Sequence, residues 1–263
     1  PFTVNPTGNS SIRGNLQVAN VDVDPSLNPE ARYFIEAQYI TEDDATAGNQ
    51  MNNASWREIG FQSISNPYAL ATGPSATNPA ESAIRAWIDI DPSVRLTQTF
   101  VPDDGKLIIG SKIVDNGDGT YDYFYAIYNM NSDRCVGSVT FPLGNAAVSN
   151  LYFHDVNSNS GEIYDTADWS SSITVDSVSW NTATYQQNPN ANALRWGTMY
   201  NFSFTAAAAP KYGTIELGLF KPGGPDSFSV STFIPAGDPV DPCDLPLGYC
   251  PEDVDGNNVV NVS

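Results

Sequence analysis

Positive charge, reactive side chains and long apolar runs are all scarce in this chain. Its 263 residues include four lysines, one histidine and three cysteines. Thirty acidic residues face 11 basic ones, for a formal net charge of −19. A field of that sign repels a nucleic-acid backbone or an anionic membrane surface, so no nucleic acid is expected as a partner and cations are the natural counter-species. No run approaches the length of about 18 apolar residues that a membrane helix needs, so no membrane insertion is expected.

The single histidine restricts nucleophilic catalysis. A Ser-His-Asp or Cys-His arrangement would have to use His154, and its sequence neighbour Asp155 points to the other face of a strand. Cys135 lies in a different segment, and there is no Gly-x-Ser-x-Gly elbow. Carboxylate-pair glycosidase chemistry needs only two acids, and no spacing singles out a pair. The chain is therefore expected not to be an enzyme, with a glycoside hydrolase ranked third among the readings.

The three cysteines show no Cys-x-x-Cys spacing, which argues against a thiolate metal site. Cys243 and Cys250 bracket a turn containing Pro246 and Gly248, and a disulfide between them is expected in an oxidising compartment. For so short a loop, chain entropy alone gives about 2–3 kcal/mol. Cys135 is left as a buried thiol or as the partner of a cysteine in additional chain.

What the chain does have is β-pattern. Lys106–Val114 and Tyr121–Tyr128 flank the turn cluster Asp115-Asn116-Gly117-Asp118-Gly119 and predict a hairpin over 106–129. Further strands are expected at 12–23, 31–40, 56–64, 96–101, 136–141, 149–155, 173–180, 196–205, 213–221 and 227–234. Asn/Pro/Gly/Asp clusters separate them at the spacing of a sandwich. The one window that fits a helical turn is 80–87. The expected fold is all-β, an antiparallel β-sandwich of Ig-like or jelly-roll type, as one large sandwich or two abutting ones. The body spans 1–234, with a subdivision open near 95–105. A Pro/Asp-rich linker with the Cys-bracketed turn follows over 235–249, and a partial calcium loop over 250–263.

Two six-residue segments echo each other. Val21-Asp22-Val23-Asp24-Pro25-Ser26 and Ile88-Asp89-Ile90-Asp91-Pro92-Ser93 share an apolar-Asp-apolar-Asp-Pro-Ser pattern. Both read as strands with two aspartates on one face, ended by a proline turn.

The strongest metal pattern is terminal. An EF-hand-type loop takes oxygen ligands at positions 1, 3, 5, 7 and 9, with a bidentate carboxylate at 12. Counted from Asp253, those first five are Asp253, Asp255, Asn257, the Val259 carbonyl and Asn261. The chain stops at Ser263, one residue before position 12. The metal expected is Ca²⁺, bound by the intact protein, and the loop is expected to continue in a longer chain. Likewise Pro1-Phe2-Thr3-Val4, without an initiator Met or signal pattern, leads us to expect a removed targeting segment or further chain upstream.

Cys250–Ser263 resembles the start of a dockerin-type repeat, and similar segments close many secreted proteins of planctomycete-type bacteria. The body also resembles large β-rich proteins of that group, in Asn188–Phe202 and in Gly218-Leu219-Phe220-Lys221-Pro222-Gly223. This resemblance implies a bacterial, extracellular or cell-surface protein with a calcium-dependent appendage, and no particular activity. A complete dockerin carries two such loops and binds a cohesin; about 14 residues of one loop are here.

A second candidate loop runs from His154 to Asp165. Asp155, Asn157 and Asn159 repeat at ligand spacing, and Glu162, Asp165 or Asp168 would add carboxylates. Position 12 is Thr166, so the register is not that of an EF-hand, and an Asn/Ser/Gly loop bonded to itself accounts for the same residues.

Aromatic residues supply the binding candidates. Trp56, Trp87, Trp169, Trp180 and Trp196 with thirteen tyrosines offer core filling or a sugar-stacking surface. Along 121–128, Tyr121, Tyr123 and Tyr125 share one face, read as an exposed contact ladder. Phe124, Ala126 and Tyr128 share the other, read as core. Taken together, the expectation is a structural surface, matrix or filament component whose partners are itself or other cell-surface components. A polysaccharide-binding module is the alternative.

Overall fold

The computed structural model describes residues 18–62, 69–71, 75–156 and 163–235. The chain divides into two compact units: one reaches to Asp91 and includes Ile163 and Tyr164, and the other is formed by Pro92–Val156 and the chain from Asp165 on. The boundary lies a few residues before the window considered from sequence.

The first unit is a small sheet with short helices. Strands β1 (Tyr33–Gln38) and β2 (Ala54–Gln62) pair antiparallel, and β2 also pairs with β3 (Ala69–Ala71) and β4 (Asn78–Pro79). Helix α1 (Asn20–Val23) precedes β1, and α2 (Glu42–Thr46) lies between β1 and β2. The Thr41 hydroxyl accepts from the Asp44 amide at its start, and three acids fill its first turn, as the helix dipole favours. Helix α3 (Arg85–Ile90) closes the unit.

Both Asp-Pro echoes therefore end helical turns, a correction to the strand reading, which had extended from 12 to 23 for the first of them. An apolar-polar alternation of four residues fits one turn of helix as well as a strand. What the two share is the stop: Asp24 (ψ 113°) and Asp91 (ψ 99°) are extended C-caps, because the following proline excludes the helical region. Asp24 also accepts from the Ser26 amide at 2.8 Å and its hydroxyl at 2.7 Å, so its carboxylate serves the turn.

The second unit is an antiparallel β-sandwich of two five-stranded sheets. One sheet has the order β5 (Arg95–Phe100), β6 (Lys106–Asp115), β7 (Tyr121–Asn129), β12 (Thr198–Ala206), β9 (Val148–His154). The other runs β10 (Ser170–Ile173), β11 (Ser177–Asn181), β8 (Val136–Pro142), β13 (Pro210–Leu219), β14 (Ser227–Pro235). The fold is thus all-β, with one sandwich and a separate small sheet in place of two sandwiches.

The β6–β7 hairpin forms where the turn cluster placed it. Gly117 and Gly119 take φ of 76° and 86°, which a side chain would resist. Asp115 accepts from the Gly117 amide, and Asp118 accepts from the amide and hydroxyl of Thr120. The expected single strand at 173–180 is a second hairpin, β10–β11. Ile173-Thr174-Val175-Asp176 alternates like a strand, but the Thr174 hydroxyl accepts the Ser177 amide at 3.0 Å and closes a turn.

Between the sheets lies an aromatic core. Phe141 on β8 packs against Tyr125, Trp180 and Phe204, with ring centroids 4.3, 5.9 and 5.6 Å away. Phe202, Trp169, Tyr200 and partly buried Phe153 continue it toward β9. Burying such rings at about 25 cal/mol per Å² is the main stabilising term of the sandwich.

Candidate functional surfaces

Of the calcium positions proposed from sequence, Asp253, Asp255, Asn257, Val259 and Asn261 lie outside the described residues, as do Asn157, Asn159 and Glu162. Cys243 and Cys250 do too. Among the described residues, no group of three or more His, Cys, Asp or Glu side chains is arranged to hold a metal ion.

Asp155, at the end of β9, is described, and it enters a polar network that the sequence did not reveal. Its carboxylate accepts from the Asn192 side-chain amide. That amide also donates to the Ala167 carbonyl at 3.0 Å, while the Asn192 side-chain oxygen accepts from the Tyr200 hydroxyl at 2.6 Å. The Trp169 indole N–H donates to the Asn192 backbone carbonyl. Partial burial holds the Asp155 carboxyl above the usual range. The Asn192 bond works against this, and the like charge of Asp168 adds to it. Burial likewise pushes the Tyr200 phenol well up. The network joins β9, β12 and the loop before β10, so its first role is to tie those elements together.

The tyrosine ladder is inverted relative to expectation. Tyr123 and Tyr125 are buried in the core, and Tyr121 packs against it half-buried. Their hydroxyls explain why these rings go in: Tyr123 donates to the Ala208 carbonyl at 2.8 Å and Tyr125 to the Phe233 carbonyl at 2.7 Å. Each phenol thus buries its ring while keeping its polar end bonded. Tyr121, Tyr123 and Tyr125 are not a contact surface. Phe124, expected inside, stands on the outer face 38 % exposed, whereas Ala126 and Tyr128 on its side of the strand are buried.

The outer face of the β5-β6-β7-β12-β9 sheet carries the exposed aromatics instead. One rung reads Lys112, Phe124, Ser203, Tyr152 across four strands. Tyr152 is 54 % exposed, and its ring lies 6.4 Å from that of His154, nearly parallel at 19°. Exposed Val114 and Met199 belong to the same face. His154 is thus a surface residue stacked on a tyrosine.

The outer face of the other sheet is a field of small hydroxyls. The register aligns Ser172, Ser179, Thr140, Glu216 and Ser229 in one rung and Ser170, Asn181, Ser138, Gly218 and Ser227 in the next. The Ser172 and Ser179 hydroxyls bond each other at 2.8 Å.

Cys135 is a buried free thiol at φ 57°, on the turn into β8. Its burial pushes the thiol pKa up, opposed by the charges of Arg195 and Lys221. Around it meet the two segments that carried the resemblance of the body. Ala191 and Ala193 share its apolar cluster with Phe220, and the Arg195 guanidinium lies 5.4 Å from the Phe220 ring. Arg134 donates to the carbonyls of Lys221, Gly223 and Pro225, and Lys221 pairs with Asp133 at 2.7 Å. Both segments are therefore packing elements that lock the β7–β8 and β13–β14 connections.

Trp56, Trp169 and Trp180 are buried and Trp87 is half-buried, which leaves Trp196 exposed among the five tryptophans. No protein-family model matches this chain, and no curated protein is detectably similar to it in sequence.

Proposed function

We propose that this chain is a non-enzymatic structural protein of the bacterial cell surface, an extracellular matrix or a filament, and that it assembles with copies of itself or with neighbouring surface components through its β-sheet surfaces. The observation that carries the reading is the pair of outer sheet faces. One presents Phe124, Tyr152 and Met199, and the other rungs rich in serine and threonine that carry little charge. A face of short side chains allows close lateral approach at small entropic cost, because serine loses little rotamer freedom on burial. With a net charge of −19 per chain, Ca²⁺ bound by the acidic residues would lower the repulsion between copies. Sedimentation and negative-stain microscopy with and without a calcium chelator test this. A monomer at high concentration, indifferent to calcium, overturns it.

A polysaccharide-binding module is the second reading, and one feature favours it. Phe124 and Tyr152 share a rung two strands apart, about 10 Å, with the Ser203 hydroxyl between them. That spacing suits two sugar rings of one chain, each stacked on an aromatic. Retention on insoluble polysaccharides that is lost in Tyr152→Ala would favour this reading over the first.

A further inference from the structure

Four strands lie at the edges of the two sandwich sheets, and three of them carry a device against pairing with another chain. β5 bears Arg95. β9 has a bulge against β12, with Asn150 at φ 53° as its extra residue. β10 is four residues long. Charge, bulges and shortness are how natural sheets protect their edges. β14 has none of them. It runs nine residues, Ser227–Pro235, in unbroken register with β13 and contains no charged side chain and no proline before its last position.

The ladder shows which groups β14 leaves open. The Leu219 amide donates to the Asp226 carbonyl, so the pair 219–226 is hydrogen-bonded. In an antiparallel ladder such pairs alternate. Phe228, Val230, Thr232 and Ile234 therefore bond to β13, and Ser227, Ser229, Ser231 and Phe233 turn their N–H and C=O groups to the open edge. The Phe233 carbonyl already accepts from Tyr125. Among the described residues, Ser227, Ser229 and Ser231 remain as three successive edge positions without a backbone partner, Ser229 exposed and the other two half-buried.

We infer that β14 is a self-association edge, and that it pairs antiparallel with β14 of a second copy about a two-fold axis through Ser229. That register sets Ser229 opposite Ser229 and Ser227 opposite Ser231, giving about six backbone hydrogen bonds from otherwise unpaired groups. The charge pattern selects a second copy as occupant. Two chains each at −19 meet best where neither presents a carboxylate, and β14 offers only Ser, Phe, Val, Thr, Ile and Pro. The nearest acid on the adjoining strand is Glu216, opposite Ser229. Across the new junction the two Glu216 side chains stand three strand spacings apart, about 14 Å, beyond the screening length of about 8 Å at physiological salt. The joined sheet has ten strands, and the outer-face rungs, rich in serine and threonine, continue across it with Glu216 in one of them. This deepens the assembly reading, on which it rests, by naming the interface.

Amide hydrogen exchange on the full chain tests the inference, read at Ser227, Ser229 and Ser231 over a concentration series followed in parallel by sedimentation. These amides should exchange freely in the dilute monomer and slow at least tenfold as the protein associates. Ser229→Glu should weaken association at least tenfold, and Ser172→Glu on β10, with the same added charge, should not; thermal melts check that both fold. Association without slowing of these amides overturns the β14 inference and leaves the assembly reading standing. No association at any concentration overturns both. Protection already complete in the dilute monomer means the chain covers its own edge, for instance with residues after Pro235, and also overturns the inference.

Discussion

The Tyr125 hydroxyl donates to the Phe233 carbonyl at 2.7 Å, a bond between the two sheets that spans 108 residues of sequence. It fixes a ring in the centre of the core and holds one carbonyl of β14 at the same time. Tyr125→Phe keeps the ring and removes the donor. A net loss of about 1 kcal/mol is expected, which for a chain of this size lowers Tm by about 2–4 °C in a thermal melt.

The buried phenols make the fold sensitive to alkali. Burial raises Tyr123, Tyr125 and Tyr200 well above the ordinary tyrosine value. Between the unfolded and folded values the native state holds more protons than the unfolded one, so stability falls as pH rises. Their contribution is whole below about pH 10 and is lost above it. In an ultraviolet titration these phenolates should appear together with loss of near-ultraviolet dichroism. Their smooth titration in a folded protein would contradict this.

Asn192 should be a costly polar position to truncate. Asn192→Ala removes one acceptor and two donated bonds, depriving the Asp155 carboxylate and the Ala167 carbonyl of this donor and leaving the Tyr200 hydroxyl with the Ala193 carbonyl alone. A loss of about 2–4 kcal/mol is expected in denaturant unfolding. Asp155→Asn should act in the opposite direction at neutral pH. The raised carboxyl pKa means that its ionised form opposes folding, and that its contribution is lost as pH rises through the folded value. A gain in Tm of about 1–3 °C at pH 7, shrinking toward pH 4, is the expected result.

Gly105 tests the packing of the β5–β6 turn. A Cβ there would come within 2.5 Å of the Asn131 carbonyl carbon and oxygen and the Ser132 amide nitrogen. Those atoms are backbone, held by the Lys106 amide on Asn131 and the Ser132 amide on Asn129. Gly105→Ala should cost about 2–3 kcal/mol, measured by denaturant unfolding.

Much of the strand pattern was legible because period-two alternation and turn chemistry are local. The Asp115–Gly119 turn names its own hairpin. The side of β7 that faces inward was not legible, because both faces are aromatic and alternation separates two sets without ranking them. The decision belongs to Ala208 and Phe233, whose carbonyls receive the tyrosine hydroxyls from distant strands. Asp155 stood out as an oxygen donor, yet its partner Asn192 lies 37 residues away. A helical turn as short as Asn20–Val23 offers too few residues for its period to show.

Strands β8 to β12 and β14 contain no Asp, Glu, Lys or Arg, so the acids of the sandwich stand mainly in its connections, Asp103, Asp104, Asp118, Asp133, Asp165, Asp168, Asp176 and Asp226 among them. In a two-sheet sandwich the connections gather at the two ends. Six of these eight stand at the end that holds the β5–β6, β7–β8, β9–β10 and β13–β14 connections and two, Asp118 and Asp176, at the other, while the strands between carry little charge. Two sandwich units drifting together meet most resistance where those six aspartates face one another and least along the uncharged strands, so their field orients an encounter before any contact forms.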